Sequence, residues 1–178
     1  MSLPPTCVVD TCVLAAFHAG DLLRSLCGLP FEMLTPDVVA AEFTGYDSYG
    51  VQAGDLSKWG VKICELSGAA VSEAMVLVAT YRGSKAPSVA DIFAFLLARD
   101  RGAVLLTDDR RLADVAAAYR VTTHGSLWLL DSLLRDAYID PATALHALEC
   151  MQTGGCRLPA VEVDRRKTAW GRHLGTEE

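Results

Sequence analysis

Short β-prone runs that alternate with longer helical ones predict an α/β protein built on a mostly parallel sheet. Two further observations agree. The 178 residues are 51% hydrophobic with a mean hydropathy of +0.25, which supplies one well-buried core and favours a single domain over two. The run Ile92-Phe93-Ala94-Phe95-Leu96-Leu97-Ala98 is apolar all round, the mark of a helix enclosed by its neighbours.

The first strand is expected at Cys7-Val8-Val9, ending at Asp10, where a helix over residues 11–26 begins. A weaker strand over 31–34 leads to Thr35 as a helix cap and Pro36 as the first residue of a helix over 36–43. A strand over 61–66 and a helix over 69–82 follow. Ser88, with Asp91 three residues on, has capping-box spacing and opens the apolar helix 89–101. The run 103–107 reads as a strand that ends at Asp108-Asp109, and a helix opens at Arg110-Arg111-Leu112. After a last strand over 120–123 come helical stretches at 126–135, 141–152 and 159–170, a helical tail in which Gly154-Gly155 breaks the final pair. The sequence has no repeat, low-complexity segment or true linker.

A formal net charge of -6 argues against a protein that coats nucleic acid through its overall field, while leaving room for a local basic patch. The six cysteines, Cys7, Cys12, Cys27, Cys64, Cys150 and Cys156, contain no CxxC pair, and the start of the chain lacks a basic segment followed by an apolar one. A reduced, cytoplasmic setting is expected, with Cys150 and Cys156 as incidental thiols rather than a disulfide or half of a zinc site. No run approaches the roughly 18 apolar residues of a membrane span. His18, His124, His146 and His173 show no ligand spacing, and Trp59, Trp128 and Trp170 read as core or interface anchors.

Four carboxylates, Asp10, Glu42, Asp91 and Asp109, stand where an apolar strand ends or on the inward face of a helix. Strand ends in open α/β sheets converge on a crevice, so acids distant in sequence can meet there and hold a hard cation. Each acid also has a structural use. Asp10 can cap the helix that starts at Thr11. Glu42 shares an apolar face with Val38 and Val39, where it needs a partner, or else sits on a rim with its stem buried and its head wet. Asp91 fits the capping box. One of Asp108 and Asp109 can cap the next helix and leave the other for a site, and spacing alone does not choose. Arg110 and Arg111 oppose the dipole of that helix, so they serve either substrate phosphate or nearby acids.

Together the acids say more. Two carboxylates about 5 Å apart repel by roughly 3 kcal/mol at an effective dielectric near 20, so a cluster of four needs neutralising. No lysine or arginine is adjacent to Asp10 or Glu42, which leaves protonation or a divalent ion. An all-oxygen donor set favours Mg²⁺ or Mn²⁺ over Zn²⁺. Two such ions about 3.5–4 Å apart suit phosphodiester cleavage.

Val8-Val9-Asp10-Thr11-Cys12-Val13-Leu14, Pro36-Asp37-Val38-Val39-Ala40-Ala41-Glu42, Ser88-Val89-Ala90-Asp91 and Leu105-Leu106-Thr107-Asp108-Asp109-Arg110-Arg111-Leu112 resemble, in this order, the motifs of the PIN-domain nucleases. The likeness spans about residues 7–125. Gly125-Ser126-Leu127-Trp128-Leu129-Leu130 and the helices after it look like the subgroup with an added helical C-terminus found in many prokaryotic proteins. The resemblance implies a PIN-like three-layer sandwich, a single domain over 1–178 with a central first strand, flanking helices and a helical C-terminal extension over 126–178. It implies that Asp10, Glu42, Asp91 and Asp109 are catalytic and bind Mg²⁺ or Mn²⁺, with Asp108 as an auxiliary ligand and Thr11, Cys12 and Thr107 beside the site. Asp109 matches the acid of the family's Thr-x-Asp pattern. Position 12, often Asn or Ser in the family, is Cys here.

The implied substrate is RNA, and the implied partner is an antitoxin protein, as for the many family members that are RNA-cleaving toxins. Arg82, Lys85, Arg110 and Arg111 are the candidates for RNA phosphates. A homodimer is expected from the high apolar fraction and the helical tail, although a tail folded back on the domain accounts for them as well. Two rivals stand beside the nuclease. A phosphatase with Asp10 as nucleophile needs a second Asp two positions on, where Cys12 stands. A non-catalytic PIN-like module would bind RNA or a protein and use its acids only as caps.

Overall fold

A computed structural model describes residues 5–45, 49–81 and 86–174. Arg82, Lys85 and the side chain of His173 lie outside the described residues. Five strands, β1 (Thr6–Val9), β2 (Glu32–Pro36), β3 (Lys62–Cys64), β4 (Val104–Leu106) and β5 (Thr123–His124), form one sheet in the order β3-β2-β1-β4-β5. Every strand pair is parallel. Parallel neighbours cannot be joined by a tight turn, so each return passes through helices that cover the sheet. These are α1 (Thr11–Ala19), α2 (Leu23–Gly28), α3 (Asp37–Thr44), α4 (Ala53–Lys58), α5 (Gly68–Thr80), α6 (Val89–Arg101) and α7 (Arg110–Ala118). Three more, α8 (Ser126–Arg135), α9 (Pro141–Thr153) and α10 (Ala160–Leu174), complete the chain. The result is the predicted three-layer α/β arrangement with the first strand in the middle.

α6 is the central helix. It crosses β2, β1 and β4 and packs against α3, α5 and α7, so Ile92 through Ala98 are all buried and an all-round apolar surface is what the position demands. α1 packs against α3, α8 and α9, and α10 lies along α9. Buried Leu129, Leu133, Leu148, Val163 and Trp170 thereby join the same hydrophobic cluster as the strands. The tail folds back onto the sheet domain. Among the described residues no helix is long and apolar enough to cross a membrane.

Several elements depart from the sequence reading. The helix expected over 11–26 is two helices, because Asp21 takes a left-handed backbone (φ 53°) between α1 and α2. Thr35 does not cap α3. β2 continues through Thr35 and Pro36, which pair with Ile63 and Cys64 of β3. Buried Thr35 turns its hydroxyl instead to the Val9 carbonyl of β1 at 3.0 Å, and Pro36 takes the cap position with no side-chain bond. α4 has no counterpart in the reading, since its six residues lack a full apolar stripe. The last strand is Thr123–His124 rather than 120–123, because Arg120 has a positive φ (60°) that breaks extended pairing.

Truncating a fully buried α6 side chain tests this arrangement. Phe95→Ala removes a large, fully buried ring and is expected to cost about 3–5 kcal/mol in urea unfolding. A loss below about 1 kcal/mol would show that α6 is not enclosed.

Candidate active site

The chain runs outward from β1 to β2 and β3, then returns to β4 on the other side of β1. That reversal opens a crevice at the carboxyl ends of β1 and β4, the place where open parallel sheets bind ligands. The residues just past those two ends are Asp10 and Thr107-Asp108-Asp109. The strands are still joined there, since the Asp10 N–H donates to the Leu106 carbonyl at 3.1 Å.

Asp10 is 1% exposed. One carboxylate oxygen caps α1 by accepting from the Thr11 N–H at 2.7 Å. The other accepts from the Thr107 hydroxyl at 2.9 Å and the Cys12 thiol at 3.1 Å. Burial, and secondarily the negative charge of Asp91, push its pKa up to about 6 even though the three donors pull the other way. Thr107 in turn accepts from the Asp109 N–H at 3.1 Å, and the Asp108 N–H donates to the Cys12 sulfur at 3.2 Å. Cys12 thus gives the hydrogen-bond support that a polar residue would give. Burial and then the Asp10 charge hold its thiol well above the usual range, so it donates as a neutral group.

The other acids are held differently. Asp91 is half-buried and closes the capping box with Ser88: its carboxylate accepts from the Ser88 N–H at 2.6 Å, and its own N–H donates to the Ser88 hydroxyl at 3.0 Å. Glu42 was expected on the inward face of α3, but its side chain is exposed and accepts from the Thr11 hydroxyl at 2.8 Å. The rim position is the correct one, because Val39, Ala40 and Phe43 fill the buried face. Asp109 caps α7 and also holds the Arg111 guanidinium, whose hydrogen bonds keep its carboxyl below the usual range. Of the two uses the sequence left open for Arg111, substrate phosphate or a nearby acid, this structure shows the acid.

Asp108 goes to the tail. It accepts from the Ser126 N–H at 2.8 Å and from the Ser126 hydroxyl, and so caps α8 from across the chain. Burial raises its pKa against those two bonds. A Cβ on Gly125 would stand 2.5 Å from the Asp108 carboxylate, so a larger residue there must displace the oxygen that holds the start of α8.

Asp10, Glu42, Asp91 and Asp109 line one cleft of about 300 Å³, together with Thr11, Cys12, Tyr49 and Arg111. Asp108, Arg110 and Arg111 line a neighbouring cleft. The four acids are neighbours, as expected, but not a closed cage. Among the described residues no group of three His, Cys, Asp or Glu side chains is placed to hold a metal ion. The acids are spread by their capping bonds and by Arg111, one of the two arginines for which the sequence left a nearby acid as partner. The reading also missed Ser126, Gly125 and Tyr49; a Gly-Ser pair at a helix start was the available signal for the first two. His18 bonds and stacks on Tyr49, and His124 stacks on Trp128, which agrees with structural roles.

Comparison with known proteins fits this geometry. A family model described as the PIN domain matches residues 6–172, and the chain belongs to the PIN-domain family, whose members are typically nucleases. Among solved structures the chain is similar to a PilT N-terminus domain protein from the hyperthermophilic archaeon Sulfolobus solfataricus P2, with 14% identity and a TM-score of 0.48 over 72% of this chain and 93% of that one. Among curated proteins no sequence matches.

Two measurements probe the site. With divalent ions chelated, the raised Asp10 pKa means that the native state binds more protons than the unfolded state between about pH 4 and pH 6. Its contribution therefore falls as pH rises through that window, by about 3 kcal/mol in all. Urea unfolding in EDTA should show Asp10→Asn gaining stability relative to the native chain from pH 4 to pH 6; parallel curves would refute the shift. Separately, Gly125→Ala should lower stability by about 1–3 kcal/mol by displacing the Asp108 cap, and an unchanged melting temperature would show the contact is not tight.

Proposed function

We propose that the chain is a metal-dependent endoribonuclease that hydrolyses RNA phosphodiester bonds in the Asp10 cleft. The observation that carries this reading is the desolvated Asp10 carboxylate, charged against Asp91 at the switch point of the sheet. A buried acid beside another acid is a poor structural element and a good cation ligand. The donor chemistry fits a hard ion, with oxygen atoms from Asp10, Glu42, Asp91 and Asp109 on one cleft and no histidine among its lining. Mg²⁺ or Mn²⁺ held there supplies Lewis acidity toward the phosphoryl oxygen and water of lowered pKa. Thr107 and Cys12 fix the orientation of Asp10, Thr11 fixes Glu42, and Arg111 sets the charge at Asp109 and stands at the cleft edge for a substrate phosphate.

The spread of the acids favours one other reading, a non-catalytic PIN-like module that binds RNA or a protein. RNA cleavage separates the two. The native chain is expected to cleave RNA only with Mg²⁺ or Mn²⁺, and Asp10→Asn and Asp109→Asn are expected to lose at least about 100-fold in rate while remaining folded. Equal activity in all three proteins, or none in any, would leave the binding module. An antitoxin partner, a toxin role and a homodimer belong to the same proposal. Light scattering at micromolar concentration measures the last, and a monomer removes it.

A further inference from the structure

Beside the acid cleft lies a second one of about 500 Å³, lined by Asp108, Arg110 and Arg111 on one side and by Gly154, Gly155, Cys156 and Arg157 on the other. The two clefts share Cys12, Ala15, Asp109 and Arg111, so they adjoin along these residues. The far wall is the turn between α9 and α10, and it is held firmly. Gly155 takes φ +85°, its N–H donates to Gln152 at 3.1 Å, and the Cys156 N–H donates to Met151 at 3.0 Å. This is the six-to-one and five-to-two bonding of a Schellman motif, which fixes the direction in which the chain leaves the helix.

Two of the three arginines on this groove, Arg110 and Arg157, are exposed and form no ion pair among the described residues. Arg101, Arg120 and Arg172 likewise form no ion pair among the described residues, but none of them lines this groove. Unpaired cations in a cleft of an acidic protein are where a polyanion meets attraction in place of repulsion from the net charge of -6. The size matters too. A cleft of about 500 Å³ is in the size class that holds a group as large as a nucleotide.

Resting on the nuclease reading, we propose that the α9–α10 turn and α7 together form a backbone-binding groove for single-stranded RNA, in which Arg157 and Arg110 contact the phosphates next to the one placed in the acid cleft. The C-terminal helices then supply part of the substrate site. Arg157 contributes to binding and register, not to bond cleavage.

The test uses the full chain and a fluorescent ten-nucleotide oligouridylate, with affinity read by anisotropy across 50–200 mM salt in Ca²⁺, and cleavage read separately in Mn²⁺. Arg157→Ala and Arg110→Ala should each weaken binding about five- to tenfold and flatten the salt dependence by about 0.7 in log–log slope, the amount for one phosphate on a single strand. Arg101→Ala is the control, since ten residues of α6 place it about 15 Å along the helix axis from Asp91. In the cleavage assay Arg157→Ala should raise KM with kcat kept. If Arg157→Ala matches Arg101→Ala in affinity and slope, or if the native chain does not bind the oligonucleotide, the groove is refuted. Binding that depends on Arg157 in a protein that cleaves nothing would uphold the groove and overturn the nuclease reading alone.

Discussion

A carboxylate with almost no access to water sits at the junction of the two central strands, and much of the local architecture follows from making that tolerable. Asp10 receives three hydrogen bonds, from the chain start of α1, from Cys12 and from Thr107. Those donors recover part of the desolvation cost but not all of it, which is why the acid titrates so far above the ordinary range. The bond from Thr107 ties the end of β1 to the end of β4, so the electrostatic problem and the joining of the sheet's two halves share one solution.

The remaining acids are each held by a different partner. Asp91 spends one oxygen on the amide of Ser88, Glu42 keeps its head in water, Asp109 takes the Arg111 guanidinium, and Asp108 is turned away to the tail. Each arrangement lowers the repulsion that four free carboxylates would exert on each other. Capping and ligation are therefore compatible uses of one residue. A carboxylate that caps a helix keeps lone pairs for a second partner.

The α/β class, the parallel sheet and the shared cleft were legible from the sequence because strand ends and helix starts carry strong local signals: Val8-Val9 before Asp10, Ser88 before Asp91, Leu105-Leu106 before Thr107. What escaped was decided by contacts across the chain. The orientation of Glu42 depends on which α3 residues meet the core, and Thr35 joins a strand because β3 extends the pairing. The division of labour between Asp108 and Asp109 depends on where α8 begins, some 18 residues further on. Arg157 carried no local signal, since it meets the cleft only when α9 folds back on α1.

The meeting of Asp108 with Ser126 beside a glycine whose Cβ would crowd the carboxylate makes the C-terminal helices a dependent part of the sheet domain. A shortened chain ending before α8 would strand a largely enclosed acid next to Cys12 with its donors gone. Exchange of the tail between related proteins would for the same reason succeed only if the acid, the glycine and the serine travelled as a matched set.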